Sequence, residues 1–244
     1  MPTLSIVIPA YNEERLLPRT LEAVGRSLPA FTSRGWEAEV VVCDNNSTDR
    51  TSELAREWGA KVVFEPVNQI GRARNCGAAA ARGDWLLFLD ADSVPTPELF
   101  AAAEAVVAQG RVLFVGAVVE LDASLPPVAS FLLGSWNWLS RTLRWMAGSF
   151  ILVEASAFRE IGGFDLSLYA SEELDLSRRL KSLARRTRRR GVILSHPALK
   201  SSARRMTMYR RGHLLFFLLK ASVRPWSTVR SREACRMWYD GKRE

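Results

Sequence analysis

The order in which short apolar runs alternate with amphipathic stretches constrains this chain most. Leu4-Ser5-Ile6-Val7-Ile8-Pro9 is a β-branched run closed by proline, and Glu39–Asp44, Lys61–Phe64 and Trp85–Leu89 are further strand-like runs. Between them a helical pattern begins at Asn12-Glu13-Glu14 and places Leu16, Leu17, Leu21 and Val24 on one face. A second helix, capped by Ser47-Thr48-Asp49, runs through Leu54 to Trp58, and a small-residue helix covers Ala73–Ala81. Strand–helix alternation of this kind predicts a parallel, doubly wound sheet for the first half. Such sheets bind ligands at the carboxyl ends of their strands. The polar clusters fall there: Asn12-Glu13 after the first strand, Asp44–Asp49 after the second, Asp90-Ala91-Asp92 after the fourth.

The second half is less regular. Val112–Leu121 and Phe150–Val153 read as strands, separated by Pro126-Pro127 and a Trp-rich amphipathic region holding Trp136, Trp138 and Trp145. Gly162-Gly163-Phe164-Asp165 reads as a tight turn, and Leu174, Leu176, Leu180 and Leu183 give Glu173–Leu183 a helical spacing. With 244 residues, no internal repeat and no low-complexity linker, one domain over 1–210 is expected. Its nucleotide half would cover 1–115 and its acceptor half 116–210, leaving a basic and apolar tail over 211–244.

The net charge of +8 is uneven, with the excess at Arg185–Arg190 and after Arg204. That points the C-terminal part toward an anion: phosphate, an acidic lipid surface or nucleic acid. The three cysteines, Cys43, Cys76 and Cys235, lack CxxC spacing and suit a reduced compartment. Phe131–Val153 is broken by Asn137, Arg141 and Arg144, short of the roughly 18–20 apolar residues that a spanning helix needs. A cytoplasmic protein, soluble or peripheral on the inner face of a membrane, is the expectation.

Asp90-Ala91-Asp92 carries the sharpest chemistry. Two carboxylates two residues apart after a buried strand can face one cavity and hold a hard divalent cation, although one could instead cap the next helix. Asp44 at a strand end can accept hydrogen bonds from a nucleoside, while Ser47, Thr48 and Asp49 cap the helix. Gly71-Arg72-Ala73-Arg74-Asn75 reads as a flexible turn ahead of a helix, with two guanidinium groups suited to phosphate. Glu172-Glu173-Leu174-Asp175 either complements a helix dipole or supplies a general base. His196, after an apolar run, is a candidate third metal ligand beside Asp90 and Asp92, or an ordinary polar residue.

Taken in order, Pro9-Ala10-Tyr11-Asn12-Glu13, Asp44–Asp49, Gly71–Asn75, Asp90-Ala91-Asp92, Gly162–Asp165 and Glu172–Leu176 resemble family 2 of the glycosyltransferases, over about Leu4 to Arg205. The resemblance implies an α/β fold of the GT-A type: a Rossmann-like, doubly wound mixed sheet with helices on both faces. It implies that Pro9, Ala10, Tyr11, Glu13, Asp44, Asn46, Arg72, Arg74, Asn75, Asp90, Ala91, Asp92, Arg204 and Arg205 bind a nucleotide sugar, UDP-linked in preference to GDP-linked. It further implies Mn²⁺ or Mg²⁺ at Asp90 and Asp92, a base at Glu173 or Glu172, and a sugar or acceptor pocket at Gly148 and Ser149. The implied reaction is transfer with inversion to a sugar or lipid-linked acceptor. Glu172-Glu173 stands where the family usually has Glu-Asp, and Asn46 where it usually has glycine; asparagine tolerates the left-handed turn a glycine would supply.

Tyr209–Trp226, with Leu214–Leu219 flanked by Arg210, Arg211, Lys220 and Arg224, suits an interfacial helix on an anionic membrane, a packed terminal helix or a dimer contact. A nucleotidyltransferase would show a Gly-rich basic loop after the first strand, which Pro9–Glu13 lacks. A nucleic-acid binder would interleave aromatics with its arginines, which Arg185–Arg190 does not, so no nucleic-acid partner is expected. A catalytically silent sugar-nucleotide binder would lack part of the acidic set.

Overall fold

The computed structural model describes residues 1–122, 127–202, 225–235 and 239, without the side chains of 127–129 and 225–226. Among these, strands β1 (Thr3–Ala10), β2 (Glu37–Asp44), β3 (Lys61–Phe64), β4 (Trp85–Leu89), β5 (Ser93–Val94), β6 (Val112–Leu121), β7 (Phe150–Glu154) and β8 (Arg190–Ser201) form one sheet. Its order is β3-β2-β1-β4-β7-β6-β8-β5. The β3-β2-β1-β4 half is parallel, as the alternation predicts. The sheet as a whole is mixed, because β7 runs antiparallel to both β4 and β6. In that join Leu89, the last residue of β4, pairs with Phe150, the first of β7.

Alternation along the strands builds two cores. Ile6, Ile8, Val40, Val42, Leu87 and Leu89 meet α1 (Leu17–Ser27), α3 (Thr51–Trp58) and α5 (Pro97–Val107) on one face. Val7, Val41, Leu86 and Phe88 meet α4 (Ile70–Ala80), α7 (Ala155–Glu160) and α8 (Glu172–Arg186) on the other. Helices therefore cover both faces. Helix α4 lies so close to β1 that a Cβ on Gly77 would stand 2.4 Å from Cγ1 of Val7. The short α2 (Pro29–Thr32) follows α1, and α6 (Pro127–Leu143) leads from the end of β6 toward β7.

Several local expectations are corrected. The first helix starts at Leu17 rather than Asn12, because Asn12 takes a left-handed conformation with φ 52°. Ser47 and Thr48 do not cap α3. The Asn12 N–H donates to Ser47 Oγ, and the Thr48 N–H donates to Asn12 Oδ1, so these loops stitch the ends of β1 and β2 together. Only Asp49 reaches the helix start, accepting from the Thr51 N–H at 3.0 Å. Gly71–Asn75 is no turn: α4 begins at Ile70 and contains it. Gly162 and Gly163 do make the turn, with φ 79° and 69°. Of the tail over 211–244, residues 225–235 and 239 are described. A short helix, α9 (Pro225–Val229), leads to Cys235 and Tyr239, which pack on Ile70, Tyr169 and Ala170. Arg204, Arg205 and residues 209–224 lie outside the described residues.

Candidate active site

The carboxyl ends of β1, β2 and β4 open on a cleft lined by Pro9, Ala10, Tyr11, Glu13, Asn45, Asn68, Asp90, Ala91 and Asp92. The turn after β4 aims both aspartates there. Its backbone is fixed by Thr20 Oγ1, which donates to Ala91 O at 2.7 Å, and by the Ser202 N–H, which donates to Asp92 O. Beside it lies a second cavity of about 300 Å³, lined by Arg74, Asp90, Gly148, Ser149, Ser171, Glu172 and Glu173 among others. Asp90, Ile70 and Tyr239 belong to both walls.

Arg74 organises this junction. Its side chain is 2% exposed, yet it carries a full charge. Nη1 donates to Glu172 Oε1 at 2.8 Å, and Nη2 donates to Asp90 Oδ1 at 3.0 Å and to Gly148 O at 2.9 Å. The guanidinium also lies over the Phe164 ring, 5.2 Å from its centroid. Burial opposes the charge, but Asp90, Glu172 and Glu173 outweigh it and raise the arginine's affinity for its proton. Sequence reasoning aimed Arg74 at phosphate; the structure turns it inward onto carboxylates.

Glu172 and Glu173 consequently differ. Glu172 is 5% exposed and held by Arg74. Glu173 is half-buried on the cavity wall with no ion pair among the described residues. Burial, and then the neighbouring Glu172, push the Glu173 carboxyl up to about 8. A base poised near neutral pH is what proton transfer favours. Gly148 abuts both groups: a Cβ there would stand 3.2 Å from Arg74 Nη2 and 3.8 Å from Glu173 Cδ.

The remaining expected residues sit as follows. Asp44 does not line the cleft: its oxygens accept from the Ser47 N–H and from Ser52 Oγ. Its neighbour Asn45 does, while accepting from the Gln69 N–H. Asn46 is exposed with φ 68°, the left-handed turn its type permits. Asn75 spends both side-chain atoms on the backbone of Phe164, and Arg72 lines neither cavity. His196 is exposed on β8, within the register shift between Ala117 and Val119. No three His, Cys, Asp or Glu side chains among the described residues stand together as metal ligands, so the triad of Asp90, Asp92 and His196 is not assembled. Asp90 and Asp92 alone fit a hard cation by donor type, two carboxylates on one turn facing one cleft.

Tyr239 went unnoticed in the sequence. Its hydroxyl donates to Tyr169 O at 2.9 Å, and its ring meets Tyr169 edge-on at 5.7 Å. Burial raises its pKa, so the phenol stays protonated. A lone tyrosine near the end of a basic tail carries no local signal of such a contact.

A half-parallel sheet with an antiparallel join and helices on both faces is the architecture of the GT-A fold. Residues 5–129 match the family described as Glycosyl transferase family 2, and the chain belongs to that family. The chain is 37% identical over 97 residues to 4,4'-diaponeurosporenoate glycosyltransferase of Staphylococcus haemolyticus, covering 37% of this chain and 24% of that protein. It is 36% identical over 104 residues to validoxylamine A glucosyltransferase of Streptomyces hygroscopicus, covering 40% of this chain and 22% of that protein. The chain thus spans about a quarter of the length of these curated relatives. Among solved structures, S. aureus TarS 1-349 in complex with UDP-GlcNAc aligns with a TM-score of 0.65 at 20% identity, over 91% of this chain and 65% of that one. Glucosyl-3-phosphoglycerate synthase from Mycobacterium tuberculosis, with Mn²⁺, UDP and phosphoglyceric acid, aligns with a TM-score of 0.60 at 20% identity, over 96% and 78%.

Proposed function

We propose that this chain transfers a sugar from a nucleoside-diphosphate sugar, UDP-linked in preference to GDP-linked, to an acceptor hydroxyl by single displacement with inversion. The observation that carries the reading is the position of Asp90 on the wall shared by the two cavities, with Glu173 lining the second. TarS was solved with UDP-GlcNAc and the synthase with UDP and Mn²⁺, which supports a uridine donor and a divalent cation.

In this reading Pro9, Tyr11, Glu13 and Asn45 bind the nucleoside, and Asp90 and Asp92 would hold Mn²⁺ or Mg²⁺, whose charge would offset that of the departing diphosphate. Glu173 takes the proton of the acceptor hydroxyl as its oxygen attacks the anomeric carbon. Arg74 bridges Glu172 and Asp90 through its two Nη atoms, which fixes the part of the wall that Asp90 and Glu173 share. Gly148 and Ser149 border the acceptor or sugar. A lipid-linked or cell-envelope glycan fits as acceptor class.

Calorimetric titration with UDP and with GDP, each with and without Mn²⁺, tests the reading. Metal-dependent binding of one nucleotide, lost in Asp92→Ala, supports it. Failure of both nucleotides to bind in any condition sinks it.

A further inference from the structure

Helix α6 presents an apolar surface that nothing among the described residues covers. Phe131 is 74% exposed, Leu132 56%, Trp138 60% and Leu143 37%. Phe131 and Trp138 stand at i and i+7 and share a face, and Leu132 and Leu143 extend that face to one side. The opposite side of α6 is anchored: Asn137 Nδ2 donates to Val119 O at 2.9 Å, and Ser140 is buried. Exposure of this face is therefore fixed by the way the helix is held.

The charged side chains at the C-terminal end of α6 are all cationic. Helix α6 contains no acidic residue. Arg141 and Arg144 at its C-terminal end and Arg185 on α8 are exposed, and among the described residues none of the three meets a carboxylate. Lys181 joins them: its Nζ donates to Leu143 O at 2.8 Å and lies over the Trp145 ring. Burial, then Arg185 and Arg144, depress the Lys181 pKa, as expected of cations crowded together. An exposed Phe/Leu/Trp face bordered by unpaired cations is the composition of a helix lying in the headgroup region of an anionic bilayer. A second copy of this chain would bring like charges together at the same border.

We propose that α6, with Arg141, Arg144, Lys181 and Arg185, docks this protein on an anionic phospholipid surface. The chain passes from Leu143 through Trp145 to Gly148 and Ser149 on the cavity wall, so docking brings the bilayer surface to the acceptor side of the site. The docking itself does not depend on the proposed transfer reaction.

Co-sedimentation of the full chain with vesicles of phosphatidylcholine, and of equal parts phosphatidylcholine and phosphatidylglycerol, tests it. The expected result is binding to the anionic vesicles roughly tenfold or more above the neutral ones, weakened by salt. A Phe131→Ser/Trp138→Ser variant and an Arg141→Glu/Arg185→Glu variant should each lose about tenfold of that affinity while binding UDP unchanged. The charge-reversal pair keeps the test decisive should the apolar pair misfold. Equal binding to both vesicle types, or variants that bind like the parent, would overturn the proposal. So would a dimer in light scattering that Trp138→Ser makes monomeric in a protein that ignores vesicles.

Discussion

Nη1 of Arg74 lies 2.8 Å from Oε1 of Glu172, and both side chains are almost entirely buried. Removing one partner of such a pair strands the other charge without water. Arg74→Leu should therefore destabilise the fold by about 3–5 kcal/mol, because Glu172 and Asp90 both lose their counter-charge. Arg74→Lys should recover only part of this, since one ammonium cannot reproduce the planar fork that spans Glu172, Asp90 and Gly148 O. Denaturant unfolding of the three proteins measures the order.

The elevated pKa of Glu173 sets a pH dependence. As a base it works ionised, so kcat/KM should climb with pH and level off above about 8. Glu173→Gln should lower kcat by about 10²- to 10⁴-fold and remove the inflection. A flat profile in the parent would count against Glu173 as the base. Stability runs the other way. The folded state holds this proton more tightly than the unfolded chain, so the contribution is complete below the ordinary carboxylate range and is lost as pH rises toward 8.

Divalent cation removal should silence transfer. Dialysis against a chelator, or Asp92→Asn, is expected to reduce activity about a hundredfold or more, with Mn²⁺ restoring the chelated parent but not the variant. Full activity in chelator would remove the cation from the mechanism.

Tyr239 should separate packing from polarity. Tyr239→Phe loses the hydroxyl's hydrogen bonds with Tyr169 O and the Ile70 backbone, at about 1 kcal/mol each, and should keep donor affinity. Tyr239→Ala empties the wall between the cavities and should raise KM for donor and acceptor together. Steady-state kinetics on both substrates distinguishes the two.

Gly148→Ala places a methyl 3.2 Å from Arg74 Nη2 and close to Glu173 Cδ. Displacing the guanidinium by a few tenths of an ångström should cut kcat more than it lowers Tm, because catalytic alignment tolerates less than folding does. Paired melting and rate measurements report the split.

Much of this was written locally in the chain. The four apolar runs of the first half, the Asp90–Asp92 pair after β4 and the Glu172-Glu173 start of α8 each follow from residue type and spacing within a dozen positions. What escaped depends on contacts distant in sequence. Arg74 and Glu172 are 98 positions apart, so nothing near Arg74 says that it faces carboxylates rather than phosphate. Tyr239 and Tyr169 are 70 apart. The reversed direction of β7 is equally silent, since an apolar run looks the same whichever way it is threaded. Asn12, Ser47 and Thr48 misled for another reason. Each is a good capping residue, and here they satisfy one another's backbone instead.

The antiparallel join of β4 to β7 has an evolutionary corollary. Because Leu89 faces Phe150, the segment entering β7 arrives beside the residues leaving β4, and no crossover is needed to bring them together. The segment 144–149 is tied down at Met146, whose N–H donates to Ser177 Oγ, and at Gly148, whose carbonyl accepts from Arg74, while the parallel strands β1 to β4 do not take their register from it. Under the proposed function, changes at the other positions of that short segment would alter the acceptor side while leaving the parallel strands as they are.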